Sequence, residues 1–534
     1  IVDIGHRRTS VCIIHEGREL VWQVDAGREV ALSSYALTSA EDVPARDPRT
    51  WKLEGSADGK SWALLDEKKD EPVFAGRNER KRYALAKPQV ARHVRFTFQP
   101  NPGITHFQLA EIELDGLGGR GTSTVTDYRR ELDLATARAA VTFAKEGRRF
   151  RREYFVSGAD QVLVTRLTAD EPGLISFTAS LDRPERAAVS VVGGDLVMQG
   201  GLNDGRGGTN VRYVARLRAV TKGGQVSAAD GTLRVEGADE VILLLAAATD
   251  YKGIAARGVA DPLAQVLKEL DQAAGRSFAE LAQAHEADHR KYFDRVALRL
   301  GDGAPRPEGT NERLIRFAKG EPDPALAALY FNFGRYLLIS SSRPGGFPAN
   351  LQGIWADGTQ TPWNGDWHLD INVQMNYWPA PVAALSDLQQ PLNALIAALV
   401  EPGSKTAKAY FNARGWVAHV ITNPWGFTSP GESASWGATT SGSAWLCQHL
   451  WTHYAYTLDA QFLHEAYPVL KGCAEFYLDN LIEEPKHGWL VTAPANSPEN
   501  AFVMADGRSA HVCLAPTIDM QLLRELFANT AQAA

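Results

Sequence analysis

Polar residues recur at every second position in the segment DWHLDINVQMNYWPA, which spans residues 366–380. They are His368, Asp370, Asn372, Gln374 and Asn376. In an extended segment, a period of two places these side chains on one face and the apolar residues between them on the other. Two interpretations follow: a half-buried surface strand, or the floor of a pocket that binds a polar ligand.

Three loop segments in the second half of the sequence combine acidic or amide side chains with aromatic ones. The first, at 343–378, carries Trp355, Trp363, Trp367, Tyr377 and Trp378. The second holds Glu432 ahead of a helical pattern that contains Trp445, and the third, TAPANSPENAF at 492–502, holds Glu499. Sugars have apolar C–H faces and polar rims, so such mixed surfaces suit them.

Hydrolysis of a glycosidic bond needs one protonated carboxyl group that gives a proton to the leaving oxygen. It also needs a group on the opposite face of the sugar that acts as nucleophile or activates water. Glu499 follows Pro498 in a rigid loop and precedes apolar residues at 501–503. We therefore expect partial burial that keeps this carboxyl group protonated near neutral pH.

Each candidate also has an ordinary interpretation. Glu499 and Glu432 could be loop or capping residues, and the aromatic residues could pack between helices. His368 could be a satisfied core histidine, and Asp370 a structural hydrogen-bonding partner. On spacing alone, the ordinary role is favoured for Glu499.

The elements that position these residues are helical. Asp323 can cap a helix whose first residue is Pro324, and an apolar stripe at helical spacing follows. Further helices are predicted near 388–412, 441–457, 460–482 and 516–530. The long loops between them, including 343–368 and 422–436, are of a length that usually carries function.

The first half of the sequence is typical of β-sheet domains. Residues 1–115 form short strand patterns, and Trp51 and Trp62 flank the turn SADGK, so a β-sandwich is predicted. Alternating runs from about 122 to 250 predict a second β-sandwich. GLGGRG at 116–121 matches the dinucleotide fingerprint formally, but no helix opening follows it, so we interpret it as a linker.

A helical connector at 260–295 contains HEADH, which fits the zinc pattern H-E-x-x-H. His285 and His289 would share a helix face with Glu286 beside them. The surrounding residues are heavily charged and no third ligand follows, so a surface helix is favoured over a zinc hydrolase.

Composition excludes several classes of function. The 534 residues allow two to four domains, and a formal net charge of −7 argues against a nucleic-acid partner. The longest apolar run, VILLLAAA at 241–248, is too short to span a bilayer and predicts a buried strand. The cysteines, Cys12, Cys447, Cys473 and Cys513, show no zinc or disulfide spacing. Cys447 and Cys473 lie in helical patterns and are expected to be buried free thiols.

Two family resemblances extend these patterns. SSYALTSAEDVPARDPRTWKLEGSADGKSWALLD with ITHFQLAEIEL resembles the discoidin (coagulation factor 5/8 type C) module, a jelly roll often used to bind sugars. GRYLLISSSRPGGFPANLQGIW, HLDINVQMNYWPA, AWLCQHLWTHY and APANSPENAF together resemble glycoside hydrolase family 95 over about 117–534. That resemblance implies an inverting 1,2-α-L-fucosidase with an (α/α)6 barrel, the six-hairpin glycosidase fold, behind an N-terminal β-sandwich.

The resemblance also assigns roles. Glu499 falls where the family has its general acid, and Asn372 where it has an asparagine that orients the attacking water. Asp370 replaces a second asparagine, so a carboxylate could partly assist as base. Residues expected to hold the terminal sugar are His368, Glu432, Trp445 and Trp367. No metal or organic cofactor is required for this chemistry.

The domain prediction combines both resemblances. It comprises a discoidin-like sandwich at 1–116, an N-terminal β-sandwich domain at 117–255, a helical linker at 256–320, and the first part of an (α/α)6 barrel at 321–534. About six helices are expected in the last part, whereas a closed double ring needs around twelve. We therefore expect a chain cut at both ends from a longer parent, with the family's other catalytic aspartate beyond residue 534.

The resulting hypothesis is a glycoside hydrolase that removes terminal α-L-fucose from oligosaccharides or glycans with inversion. The full-length parent is expected to be extracytoplasmic, either periplasmic or secreted, without a membrane span. Three alternatives stay open: an α-L-galactosidase of the same fold, since the two sugars differ by one hydroxyl; a non-catalytic carbohydrate-binding fragment; and the zinc hydrolase at HEADH.

Overall fold

The structure of the protein is a computed structural model, which describes residues 11–14, 20–40, 43–104, 106–115, 125–183, 185–254, 258–301, 308–356 and 358–534. It divides into two compact units, here called the N-terminal unit (Ile1–Thr126) and the C-terminal unit (Asp127–Ala534). The GLGGRG segment, interpreted as a linker, lies outside the described residues. The finer domain boundaries at 116, 255 and 320 stay predictions.

The N-terminal unit is built from antiparallel strands. They are β1 (Val11–Ile14), β2 (Leu20–Thr38), β3 (Thr50–Ser56), β4 (Ala63–Lys68), β5 (Arg80–Gln99), β6 (His106–Leu109) and β7 (Glu111–Leu114). One sheet has the order β4-β3-β5-β2-β7, and β1 pairs with β6. Val94, Phe96 and Phe98 alternate along β5 and fill the core together with Trp51. Period-two alternation therefore forms this sheet, as the sequence predicts.

The C-terminal unit begins with a β-sandwich, whose first strand starts at Val125, two residues before the boundary between the units. Its strands are β8 (Val125–Asp133), β9 (Arg138–Lys145), β10 (Arg148–Ser157), β11 (Val162–Ala169), β12 (Ile175–Ser180), β13 (Ala187–Val192), β14 (Asp195–Asn203), β15 (Thr209–Lys222), β16 (Gln225–Ala229), β17 (Thr232–Ala238) and β18 (Glu240–Thr249). Eight strands form one sheet, in the order β13-β14-β15-β18-β11-β10-β9-β8, and β12-β17-β16 form the other. The run VILLLAAA is the buried central strand β18, as predicted. Helices cover one face of the large sheet and the small sheet covers the other, which explains the continuous apolar run.

Helices follow the sandwich. They are α1 (Pro262–Ala274), α2 (Phe278–Phe293), α3 (Thr310–Ala318), α4 (Pro324–Ser341), α5 (Asn372–Tyr377), α6 (Pro379–Val382), α7 (Gln390–Ala398), α8 (Val400–Phe411), α9 (Ala434–Gly437), α10 (Gly442–Thr457), α11 (Ala460–Asn480) and α12 (Thr517–Ala533). Two-residue strands lie between them: β19 (Trp367–His368), β20 (Ile421–Thr422), β21 (Ile482–Glu483), β22 (Leu490–Val491), β23 (Phe502–Val503) and β24 (Ser509–Ala510). The predicted order of two β-rich parts followed by a helical part is confirmed.

The helical part has one large apolar core, to which α4, α5, α7, α10, α11 and α12 contribute. Asp323 caps α4 as predicted, because its carboxylate accepts a hydrogen bond from the Leu326 N–H at 3.1 Å. Cys447 and Cys473 are buried free thiols in this core, also as predicted. No helix in the described ranges is long and apolar enough to cross a membrane.

The HEADH segment lies in α2, a helix with an exposed charged face as predicted, but its two histidines are on the other face. His285 and His289 are both buried against the sandwich. Their Nε2 atoms lie 3.2 Å from the Ala137 carbonyl oxygen and 2.8 Å from the Leu134 carbonyl oxygen. Burial lowers the pKa of both imidazoles. Within the described residues, no group of three His, Cys, Asp or Glu side chains is arranged to hold a metal, so nothing supports the zinc alternative.

Candidate active site

The predicted strand around His368 is real but short. β19 pairs with β20, and the Leu369 N–H donates to the Val420 carbonyl at 2.6 Å. From 366 to 370 the alternation holds: Asp366, His368 and Asp370 are half-buried on one face, while the residues between them are buried. This small ladder therefore places three titratable side chains on one side of an apolar support.

Beyond residue 370 the strand prediction is wrong. Ile371 has φ 143°, and the chain then enters helix α5. Gln374, which an extended segment would place on the polar face, is fully buried, whereas Met375, which it would place on the apolar face, is 52% exposed. Asn372 and Asn376 are four residues apart in α5, so they share a helix face instead of a strand face. Periods of two and of 3.6 fit six residues about equally well, which is why the sequence alone misplaced them.

Gln374 holds the turn that joins strand to helix. Its Oε1 accepts from the Ile371 N–H at 3.1 Å, and its Nε2 donates to the Leu369 carbonyl at 2.8 Å. These two hydrogen bonds hold the residues on either side of Asp370, which are Leu369 and Ile371. The buried amide therefore fixes the backbone that presents Asp370 and Asn372.

Helix α5 also anchors the long loop before it. The Asn376 Nδ2 donates to the Asn350 carbonyl at 2.7 Å, and the Tyr377 hydroxyl accepts from the Ala349 N–H at 2.8 Å. Trp367, predicted to hold the sugar, is only 4% exposed, and its Nε1 donates to the Pro348 carbonyl at 3.0 Å. That assignment is corrected here, because a buried indole packed against Phe347 has no face free for a ligand.

Glu499 lies on a loop that docks onto the segment after Glu432. The Asn496 Nδ2 and the Glu499 N–H both donate to the Ser435 carbonyl, at 3.0 Å and 3.3 Å. Asn496 itself is fully buried. The shared carbonyl therefore ties the loop that carries Glu499 to helix α9, which follows Glu432.

The expected shelter around Glu499 is absent. Its side chain is exposed, as are the apolar side chains at 501–503. Glu432 is exposed as well, whereas Trp445 is half-buried and packs against the helical core. The Glu499 side chain is therefore exposed to solvent, whereas the Asp370 side chain is half-buried.

The electrostatic surroundings link these loops. Burial raises the pKa of Asp370, the neighbouring Glu499 carboxylate raises it further, and His368 opposes the rise. Oδ1 of Asp370 is buried and has no hydrogen-bond partner among the described residues. A buried, unpaired carboxylate oxygen is costly, so it marks a place where water or a ligand hydroxyl would be held.

Asp366 belongs to the same cluster, although it is not among the residues predicted from the sequence. Burial raises the pKa of its carboxyl group, His368 lowers it, and Glu432 raises it. A signal existed in the sequence, because Asp366 continues the same period-two row two residues before His368. The site thus brings together carboxyl groups from three loops, with Glu432 beside Asp366, Glu499 beside Asp370, and His368 beside both aspartates.

Two residues of these loops have a strained backbone. Ile371, between Asp370 and Asn372, has φ 143°, and Glu499 has φ 60°. Neither residue is a glycine, and a positive φ costs a β-branched residue most. The surrounding contacts hold both residues in these conformations, although other loops of the described residues also contain non-glycine residues with positive φ.

Three parts of the chain match known protein families. Residues 277–534 match the glycosyl hydrolase family 95 catalytic domain, and residues 2–112 match the F5/8 type C domain. Residues 75–254 match the N-terminal domain of glycosyl hydrolase family 65.

Curated relatives carry fucosidase names. The chain is 38% identical to alpha-L-fucosidase 2 of Arabidopsis thaliana over 443 residues, which cover 77% of this chain and 52% of the relative. It is 34% identical to a probable alpha-fucosidase A of Aspergillus niger over 432 residues, which cover 77% of this chain and 53% of the relative. The chain therefore spans about half the length of these relatives.

A solved structure matches the fold. A putative kojibiose phosphorylase from the human microbiome superposes with a TM-score of 0.54 at 12% sequence identity, covering 77% of this chain and 53% of that chain. With the domain match, this likeness confirms the predicted fold class, in which sheet-rich domains precede a helical domain of the glycosidase (α/α) barrel type. The chain therefore carries a glycoside hydrolase family 95 catalytic domain at residues 277–534 and an F5/8 type C domain at residues 2–112.

Proposed function

We propose that the protein is a glycoside hydrolase that removes terminal α-L-fucose, linked 1,2, from oligosaccharides or glycans with inversion at the anomeric carbon. The observation that carries the proposal is the pairing of two unlike carboxyl groups. Asp370 is half-buried with an unpartnered oxygen, and Glu499 is exposed on a separate loop close enough to raise the pKa of Asp370. A glycosidase needs a pair of carboxyl groups at its site; that Glu499 is the acid and Asp370 assists as base is proposed from the family resemblance, because the exposure of Glu499 alone does not favour a protonated carboxyl group.

In the proposed reaction, Glu499 protonates the glycosidic oxygen while the bond from this oxygen to C1 breaks. The oxygen of a water molecule bonds to C1 from the opposite face. The Asn372 amide oxygen accepts a hydrogen bond from that water, and the Asp370 carboxylate receives its proton. The raised pKa of Asp370 favours this step, since a base works best when its pKa approaches the working pH. His368, Glu432 and Trp445 are proposed to hold the terminal sugar.

Leaving-group dependence tests the role of Glu499. A lactose-type leaving oxygen needs a proton, whereas a 2-chloro-4-nitrophenolate leaves without one. We expect Glu499→Gln to lower kcat/KM on 2′-fucosyllactose by about 10²–10⁴-fold. The loss on the activated aryl α-L-fucoside should be much smaller.

The matched control is Glu483→Gln, which changes an exposed glutamate on β21 and should leave both rates within about twofold of wild type. Equal rates for wild type and Glu499→Gln on 2′-fucosyllactose would overturn the proposal. Binding without turnover in the wild-type chain would instead identify a carbohydrate-binding protein. Proton NMR of the first product should detect β-L-fucose, and the matching aryl α-L-galactoside measures preference between the two sugars.

We also propose that the full-length protein works outside the cytoplasm. A glycan substrate and an F5/8 type C module support this location. Fractionation of the native host cells tests it: activity and protein should appear in the periplasm or the medium, and recovery in the cytoplasm alone would reject it.

A further inference from the structure

The turn Pro362–Gly365 contains an unusual run of left-handed residues. Trp363 has φ 51°, Asn364 has φ 56° and Gly365 has φ 68°. The left-handed region costs a residue with a Cβ about 1–2 kcal/mol, and bulky residues are rare there. A glycine at 363 would adopt this backbone without cost, so the indole needs another reason to be present.

Burial does not supply that reason. The Trp363 side chain is 66% exposed, so little of its apolar area is removed from water. The tryptophan neighbouring the imidazole, Trp367, is by contrast in the core. Among the tryptophans of this loop, Trp363 therefore combines the highest exposure with a strained backbone.

Amide side chains of the same loop brace the turn. The Asn350 Nδ2 donates to the Gly365 carbonyl at 2.7 Å, and the Gln352 Nε2 donates to the Pro362 carbonyl at 3.1 Å. The Gln360 Nε2 donates to Asn364 Oδ1 at 2.8 Å. An exposed aromatic ring held by such bracing is pre-organised for contact with a ligand.

The turn also adjoins the carboxylate cluster. The Asp366 N–H donates to the Trp363 carbonyl at 3.1 Å, so the indole lies one turn from the first acid of the row. The Asp366 carboxyl group faces both His368 and Glu432. Trp363 is thus at the border of the candidate site, where the part of a substrate beyond its terminal sugar would extend.

We infer that Trp363 is a stacking platform for the second sugar of the substrate, the hexopyranose from which the terminal sugar is released. The apolar C–H face of that pyranose would lie on the indole, while its hydroxyls stay in water. This inference rests on the proposed function and adds a specificity determinant to it. It predicts that Trp363 contributes to binding of the disaccharide unit but not of free L-fucose.

Isothermal titration of the 534-residue chain tests the inference, with Glu499→Gln in every protein so that ligand is not consumed. Trp363→Ala should weaken 2′-fucosyllactose binding about tenfold and leave the Kd of L-fucose within about twofold. Trp363→Phe should lie between. Trp489→Ala is the matched control, because that indole is 64% exposed but its ring stacks on His487 at 4.5 Å.

Trp363→Gly separates binding from folding. It relieves the left-handed strain, so its thermal midpoint should equal or exceed that of the parent while trisaccharide binding falls as in Trp363→Ala. The inference is overturned if Trp363→Ala retains trisaccharide affinity, if L-fucose loses the same factor, or if Trp489→Ala behaves identically; the proposed function survives these results. If the Glu499→Gln protein binds neither 2′-fucosyllactose nor L-fucose, both the inference and the proposed function are rejected.

Discussion

Gln374 is proposed to position Asp370 without contacting the substrate itself, and its substitution tests this role. Its buried amide bonds the backbone on both sides of Asp370, so Gln374→Leu leaves the Ile371 N–H and the Leu369 carbonyl without partners. Each unmade buried hydrogen bond costs about 1–3 kcal/mol. We expect the free energy of unfolding to fall by roughly 2–4 kcal/mol, and kcat to fall more than KM rises. Urea unfolding and initial rates measure the two effects.

Met375→Gln is the control for that experiment. Residue 375 is next in α5 and its side chain is 52% exposed, so unfolding free energy and kcat should stay near wild type. If Gln374→Leu unfolds at the wild-type urea concentration, Gln374 does not hold the turn. If it loses stability but keeps wild-type kcat, the turn does not position Asp370.

Alternation in the sequence predicts that His368 and Asp370 share a face, because this is a local property, and the structure confirms it. It does not predict how buried the other candidate side chains are. The burial of Trp367 and the exposure of Glu499 depend on residues distant in sequence, such as Phe347 and Ser435. The strain at Ile371 and Trp363 left no sequence signal, because both residues are ordinary in a strand or a loop.

The buried guanidinium group of Arg335 joins helix α4 to the end of helix α2. Arg335 of α4 donates to the Tyr292, Phe293 and Val296 carbonyls at the end of α2, and its cation lies 4.9 Å from the Phe293 ring centroid. The negative end of the helix dipole favours a cation there. Arg335→Met keeps the apolar stem but removes the guanidinium donor from the Phe293 and Val296 carbonyls, whereas the Tyr292 carbonyl still accepts from the Arg295 N–H at 3.4 Å. We expect a loss of roughly 2–4 kcal/mol in unfolding free energy.

Arg414→Met calibrates that loss. Arg414 forms an exposed ion pair with Asp479 at 2.7 Å, and such pairs contribute at most about 1 kcal/mol. Guanidinium chloride unfolding of both variants, followed by far-UV circular dichroism, measures the difference. A similar small effect for both arginines would contradict a structural role for Arg335 at the end of α2.

The sequence predicts the type and approximate bounds of long elements with uniform periodicity, but not those of short elements. Strand β18 and helices α10 and α11 extend over ten or more residues, so burial on one or both faces sets a clear pattern. Helix α5 has six residues, and the tertiary contacts of Gln374 and Tyr377 decide its conformation. The buried face of α2 was missed because charged residues surround its two histidines in sequence.

At the scale of the whole molecule, the order of domains was predictable because each part carries its own pattern. Alternating strands come first and helical stripes follow, and several separate motifs occur in one order. The way three loops meet was not predictable. Their meeting depends on hydrogen bonds between residues about 60 apart, such as Asn496 with Ser435.

Buried neutral histidines should make the C-terminal unit sensitive to acid. Burial lowers the pKa of His419 and of His449 to about 4. The unfolded chain has the ordinary value of about 6.5, so it binds more protons than the folded chain as pH falls below 6.5. Stabilisation by these neutral imidazoles is complete above that pH and is lost progressively down to about pH 4. The sign is therefore lower stability in acid.

The expected size is roughly 1–2 kcal/mol lost per histidine between pH 7 and pH 5. Burial also lowers the pKa of His285, His289 and His453, which adds loss of the same sign. Urea unfolding of the whole chain at both pH values measures the total. In His449→Phe, a neutral ring replaces a buried imidazole. The free energy of unfolding should therefore fall less between pH 7 and pH 5 than in wild type, by the contribution of one histidine. An undiminished difference in this variant, or higher stability at pH 5, would show that protonation of buried histidines does not govern acid sensitivity.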